Sequence, residues 1–201
     1  MNRNIAVAGN IGSGKDLLID FLCSTYPLLP IGGNPTTANP YLEFFFTDMK
    51  CWAFHSQIHI LTEKFKHLQA SLSGFRSSVI KRSIYEDAEI FARDLFQNGF
   101  LSELEFRTYY EYFKTVTAVL PAPDLLIYLH SSLKTSIGRV QARQHADVIT
   151  PAYLKRLNRL YVNWIADYNL SEVLIIDTDQ LDFVGNLVDR ADIIEVVERY
   201  I

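Results

Sequence analysis

The apolar positions of this chain come in short unbroken runs set far apart, with longer amphipathic stretches between them. Ile5-Ala6-Val7-Ala8, Ser78-Val79-Ile80, Leu125-Leu126-Ile127-Tyr128-Leu129 and Val173-Leu174-Ile175-Ile176 are such runs, and Leu28 to Ile31 is a shorter one. Runs of this length without polar alternation predict parallel strands buried on both faces. The stretches between them carry helical periodicity. In Asp48 to Leu72, the residues Met49, Trp52, Ala53, Ser56, Ile60 and Phe65 recur near one side. Tyr85 to Gln97 and Glu103 to Leu120 read as two more helices, the latter stopped by Pro121-Ala122-Pro123 just before a strand. Strands alternating with long helices predict an α/β fold: a doubly wound, five-stranded parallel sheet with helices on both faces. Ligands of such sheets bind at the carboxyl ends of the strands.

Composition narrows the picture. A length of 201 residues suits a single domain over 1–201. Net charge is −4, with 49% hydrophobic and 21% charged residues. That balance fits a globular chain and lacks the basic surface of a general nucleic-acid binder. No apolar run reaches the roughly 18–20 residues of a membrane span. The start, Met1-Asn2-Arg3-Asn4, leads into a strand broken by Gly9, which is not a signal-peptide pattern. Cys23 and Cys51 lie far apart in helical stretches, and read as buried or half-buried reduced thiols. These features predict a cytoplasmic protein with no nucleic-acid or membrane partner. His55 and His59 have helical spacing but no third ligand, so they read as helix-face residues rather than a zinc site.

The first strand runs into Gly9-Asn10-Ile11-Gly12-Ser13-Gly14-Lys15-Asp16, followed by the helical Leu17-Leu18-Ile19-Asp20-Phe21-Leu22. This is the GxxxxGK pattern in its strand–loop–helix context, a P-loop. Glycines let backbone N–H groups turn inward around an anion. The new helix N-terminus adds its dipole and Lys15 a point charge. A P-loop normally follows its Lys with a Ser or Thr whose hydroxyl ligates Mg²⁺. Here Asp16 follows. It is a candidate metal ligand, but it also brings negative charge towards the phosphates.

Several further stretches join the P-loop. They are Asn39-Pro40-Tyr41-Leu42, Asp48-Met49-Lys50, Trp52-Ala53-Phe54-His55-Ser56-Gln57 and Arg82-Ser83-Ile84-Tyr85-Glu86-Asp87-Ala88-Glu89-Ile90-Phe91-Ala92. Pro123-Asp124-Leu125-Leu126-Ile127-Tyr128-Leu129 and Leu157-Asn158-Arg159-Leu160-Tyr161 complete the set. Together they resemble the deoxyribonucleoside kinase family, in particular its bacterial deoxyadenosine/deoxyguanosine kinase-like branch, from about residue 4 to about 180. The resemblance implies a P-loop NTPase-like fold with a short lid. ATP and Mg²⁺ are its implied cofactors in an active member. It also implies a nucleoside or nucleotide ligand, and a homodimer or a heterodimer with a related kinase. By position, Gln57 corresponds to the residue that reads the base edge, and Lys64 stands where the family usually has Arg. Asp87 matches a position that tunes base choice. Arg82 matches the contact to the nucleoside 5′ end and the transferred phosphoryl group.

The pattern also breaks. The family's catalytic base, usually Glu, aligns with Asn34 before Pro35, and Pro30 to Ala38 holds no carboxylate. The carboxylate that precedes the Arg-Ser and helps hold Mg²⁺ is Lys81. The Tyr that meets the sugar 3′-hydroxyl is Phe46, which keeps the ring and loses the oxygen. In the lid, Arg139 and Arg143 remain, with Gln141, Ala142, Gln144, His145 and Ala146 around them. The two arginines read equally as a phosphate clamp or as a solvated helix face. Losing a general base costs about 10²–10⁴ in rate.

These departures favour a nucleoside- or nucleotide-binding relative with impaired or lost phosphoryl transfer, acting as a pseudoenzyme or a regulatory or structural partner. The alternative is an active kinase that transfers the ATP γ-phosphate to the 5′-hydroxyl of a deoxynucleoside, with Asp16 and Glu86 as replacement carboxylates. A third reading is a pure interaction module. Asp16 and Lys81 carry opposite charges at two positions that converge on one metal in the family, so a salt bridge between them is expected.

Overall fold

The computed structural model describes residues 3–31, 39–72, 76–142, 149–179, 181 and 186–199. The chain divides into two compact units. One comprises Met1–Pro30, Phe75–Lys81 and Pro123–Ile201, and the other Ile31–Gly74 and Arg82–Ala122.

The first unit carries the sheet: β1 (Asn4–Gly9), β2 (Leu29–Ile31), β3 (Ser78–Lys81), β4 (Leu125–His130) and β5 (Glu172–Asp177), in the order β2-β3-β1-β4-β5. The pairs β1–β3, β1–β4 and β4–β5 are parallel. The predicted parallel sheet is therefore present, with its order reversing on either side of β1. Side chains alternate across each strand. Ile5 and Val7, with Ile127, Leu129, Leu174 and Ile176, form one buried cluster. It also takes in Leu18, Ile19 and Leu22 of α1 (Lys15–Thr25) and Ile193 and Val197 of α9 (Leu187–Glu198). Tyr128 points the other way and stacks on Tyr161 of α8 (Pro151–Asp167), with ring centroids 6.0 Å apart. Helices thus cover both faces of the central strands, which is why those have no polar alternation. Contrary to the burial on both faces expected of Val173-Leu174-Ile175-Ile176, Ile175 is 58% exposed, because β5 lies at the edge of the sheet. Asp124 fixes the start of β4 to that of β1: its carboxylate accepts from Asn4 N–H at 2.6 Å, and its own N–H donates to Asn4 O at 2.8 Å. α7 (Leu133–Gln141) completes the described helices of this unit.

The second unit is helical. It contains α2 (Leu42–Thr47), α3 (Met49–Leu72), α4 (Ile84–Glu86), a π-helical stretch Asp87–Ala92, α5 (Arg93–Gln97) and α6 (Glu103–Thr117). Ser83 and Ser102 each open a helix through a capping box, with Glu86 and Glu105 as the reciprocal partners. The helix predicted over Tyr85 to Gln97 is present but widened by the π turn that begins at Asp87, a feature frequent at functional sites. The buried face of α3 holds Ala53, Ser56, Ile60, Leu61 and Leu68 as its period dictates, and also the polar Gln57 and Lys64. Cys23 is half-buried, as read, whereas Cys51 is exposed, because it lies on the outer side of α3. Among the described residues no helix is long and apolar enough to cross a membrane.

Ile127 is fully buried at the centre of β4. Ile127→Ala is expected to lower the unfolding free energy by about 2–5 kcal/mol. Urea denaturation checks this, with a lower midpoint and an unchanged m value expected.

Candidate functional site

In the first unit, β1 ends at Gly9 and the chain turns through the P-loop into α1. Gly9 has φ 147°, and a Cβ there would stand 2.6 Å from Ser13 Oγ and 2.7 Å from Leu129 O. Gly12 has φ 86°, and a Cβ there would come within 2.9 Å of Ser136 O. The glycines are thus dictated by close approach of backbone to backbone, besides their left-handed conformations. Asn10 braces the loop: its amide donates to Leu154 O at 3.0 Å, and its Oδ1 accepts from Ile11 N–H at 2.8 Å. Ser13 N–H donates to Asn10 O at 3.1 Å. Lys15 is buried, and its Nζ donates to Gly9 O at 2.6 Å and to Asn10 O at 2.8 Å. This brings the ammonium, the loop and the N-terminus of α1 together as a phosphate cradle requires.

Asp16 stands at the second position of α1 and Lys81 at the last position of β3, in register with Val7 of β1. Lys81 Nζ lies 2.6 Å from Asp16 Oδ1, so the charge pair expected from the sequence is present. In P-loop enzymes a hydroxyl after the Lys and a carboxylate at a strand end hold Mg²⁺. An ammonium cannot ligate a metal, and here it pairs with one oxygen of the carboxylate beside it. Among the described residues there is no cluster of three or more His, Cys, Asp or Glu that suits a metal. The donor set in this unit therefore does not fit Mg²⁺ in the usual way.

Arg139 of α7 donates to Thr178 O at 2.6 Å, to Thr178 Oγ1 at 3.1 Å and to Gly12 O at 3.4 Å. Thr178 Oγ1 in turn donates to His130 O at 3.0 Å. Arg139 thus ties the phosphate loop to the ends of β4 and β5, a use that neither sequence reading anticipated. Asn34 and Arg143 lie outside the described residues.

In the second unit, Lys64 and Asp87 form an ion pair at 2.5 Å, with side chains 4% and 7% exposed. Lys64 Nζ also donates to Arg82 O at 2.8 Å. Arg82 has φ 60°, a left-handed conformation that costs a non-glycine residue roughly 1–2 kcal/mol. Its guanidinium stacks over the Phe91 ring at 4.7 Å. Burial lifts the Asp87 carboxyl above the ordinary carboxylate range, while Lys64 and then Arg82 pull it back. Gln57 Oε1, Arg82 Nε and Tyr109 Oη are buried, and among the described residues none has a hydrogen-bond partner. Buried polar atoms are seldom left so.

Gln57, Lys64 and Asp87, singled out from the sequence, thus fall within one unit as buried polar groups, with Arg82 half-buried in the same unit. Phe46 is 52% exposed and packs edge-on against Phe45. Glu86, considered as a replacement carboxylate, is fully buried and accepts from Ser83 N–H at 2.8 Å in the capping box. Tyr109 was missed. It is fully buried, and burial, then the charges of Asp87 and Glu89, hold its hydroxyl well above the usual phenol range. Its signal was a hydroxyl on the apolar stripe that Tyr109, Phe113 and Val116 form along α6.

Comparison with known proteins places this arrangement among relatives. The family whose pattern matches residues 5–201 is described as deoxynucleoside kinase. The deoxyadenosine/deoxycytidine kinase of Bacillus subtilis (strain 168) is 33% identical over 199 residues, covering 94% of this chain and 91% of that protein. The deoxyguanosine kinase of Lactobacillus johnsonii is 32% identical over 208 residues, covering 96% and 90%. Among solved structures, deoxyadenosine kinase from M. mycoides with dCMP and a flexible dCDP superposes with a TM-score of 0.80 at 26% identity. The match covers 98% of this chain and 97% of that one.

Because the Lys64–Asp87 pair is buried, removing one partner strands a charge. Lys64→Met is expected to cost about 3–5 kcal/mol near neutral pH. In the wild-type chain, a carboxyl raised by folding contributes stability below its unfolded value, and that contribution is lost as pH rises through the folded value. The loss in Lys64→Met should therefore shrink on acidification, where Asp87 takes up a proton and becomes neutral. Urea denaturation of both proteins at about pH 5 and about pH 7.5 checks the difference.

Proposed function

Because this chain belongs to the deoxynucleoside kinase family, we propose that it binds a deoxynucleoside and transfers the γ-phosphate of ATP to the 5′-hydroxyl. The observation that carries the reading is the buried polar set of the helical unit. The Gln57 amide offers donor and acceptor to a base edge. Asp87, held by Lys64, sits at the position that selects the base. Arg82, kept in a strained backbone conformation over Phe91, is the group for the 5′ end and the transferred phosphoryl. Backbone strain of this kind persists where the surroundings enforce it and clusters at active sites. The cradle of Gly9 to Asp16 supplies the donor's phosphate site. Phosphoryl transfer depends mainly on positioning and electrostatic stabilisation, so Lys15, Lys81 and Arg82 can supply charge without a carboxylate at Asn34. A dimer and a cytoplasmic location accompany this reading through the resemblance to the family.

A second reading has its own observation. The Asp16–Lys81 contact lies where the family's metal-organising groups stand, and this favours a chain that binds nucleosides while transferring phosphate slowly or not at all.

Product formation separates the two. Purified protein with ATP, assayed both with Mg²⁺ and with EDTA, is expected to convert deoxyadenosine, deoxycytidine or deoxyguanosine to its 5′-monophosphate, measured by chromatography. Gln57→Ala is expected to lower kcat/KM by about tenfold or more, the effect of one buried hydrogen bond. A deoxynucleoside that raises the Tm without product would favour the second reading.

A further inference from the structure

We propose that the Asp16–Lys81 pair is a built-in substitute for the divalent cation, so that this P-loop takes polyphosphate oxyanions in their metal-free form. The proposal uses the family reading only to identify the loop as a phosphate cradle, and it holds whether or not transfer follows.

Three observations lead to it. First, geometry places both residues at the mouth of the cradle. Lys81 closes β3 in register with Val7, two residues before the turn at Gly9, and Asp16 follows the cradle's Lys15 on α1. Second, the two groups meet at 2.6 Å, with their side chains 27% and 57% exposed. A pair this open to water adds little to stability, so stability gives little reason for two linked departures from the usual hydroxyl and carboxylate. Third, the charges sum differently from those of a metal site. The usual arrangement supplies a neutral hydroxyl, a carboxylate and a +2 ion. Here the cation at this place is the Lys81 ammonium itself, held by Asp16.

The consequence for ligands is one of sign. A Mg²⁺ bound to the donor's phosphates would approach the Lys81 ammonium, and like charges repel. The same ammonium attracts uncomplexed phosphate oxygens, and it can turn from Asp16 towards them as a flexible point charge with three donors. Metal-free polyphosphate therefore gains what its Mg²⁺ complex loses. Asp16 would in turn hold Lys81 near the cradle when no anion is bound.

Isothermal titration of the full chain with ATP tests this, in EDTA and in excess Mg²⁺, with tripolyphosphate as a base-free probe. The expected result is that ATP and tripolyphosphate bind in EDTA at least as tightly as with Mg²⁺. In the double variant Asp16→Ser with Lys81→Asp, Mg²⁺ should tighten ATP binding about tenfold or more, as in an ordinary P-loop site. Its Tm should stay close to that of the wild type, because the replaced pair is exposed. Lys81→Met alone is a second test, with metal-free binding expected to weaken. Wild-type binding that is tenfold tighter with Mg²⁺, or no ATP binding in either buffer, would overturn the proposal. Deoxynucleoside titrations in the same buffers keep it separate from the kinase reading. Loss of the phosphate result with nucleoside binding intact would reject the cation substitute alone.

Discussion

The phosphate end of this protein depends on how closely its backbone segments approach at Gly9. Carbonyl oxygen of Leu129 and side chain of Ser13 occupy the space a Cβ would need there. That closeness lets β1, β4 and the start of α1 converge, so Lys15 can reach back to Gly9 O and Asn10 O from the helix it opens. Parallel pairing of β1 with β3 then sets where Lys81 emerges. The ion pair with Asp16 is thus a product of strand register and of the turn, and not of any local preference of either residue.

The helical unit solves a different problem. Its core face includes Lys64 and Asp87, whose desolvation is repaid only if each holds the other. Lys64 also bonds the carbonyl of Arg82, which fixes a backbone that would otherwise avoid its left-handed conformation. The capping box of Ser83 and Glu86 directs the chain into the π turn beginning at Asp87. Rigid support from capping, stacking on Phe91 and ion pairing leaves Gln57 Oε1 and Arg82 Nε without a hydrogen-bond partner among the described residues. A ligand bearing matching groups would release that cost, the usual logic of a preorganised binding site.

The two units therefore bear different marks. Against the pattern that the resemblance implies, Asp16 and Lys81 depart in the sheet-bearing unit and Phe46 in the helical one. Gln57 and Asp87 keep the residue types that the resemblance implies, and Lys64 retains the charge of the implied Arg while losing its planar fork. A planar guanidinium could bind two acceptors side by side. The Lys64 ammonium instead divides its donors between Asp87 and Arg82 O.

By itself, the sequence determined the class of fold and the identity of most candidate groups. The unbroken run Leu125 to Leu129 reads as a strand covered on both faces, because polar alternation would otherwise appear. GxxxxGK between strand and helix determined the cradle, since its glycines answer to backbone geometry that few other residues permit. Opposite charges at Asp16 and Lys81 also sufficed to anticipate their contact, once both positions were assigned to one place. Tertiary structure alone decided the rest. That Arg139 ties Gly12 to Thr178 depends on α7, the loop and the end of β5 meeting from distant parts of the chain. That Glu86 caps a helix, rather than facing a substrate, depends on the local turn at Ser83. Burial of the Tyr109 hydroxyl beside the charge of Asp87 arises from packing that periodicity cannot express. Hydrophobic pattern reports which face of an element is covered, but not which polar atoms meet beneath the cover.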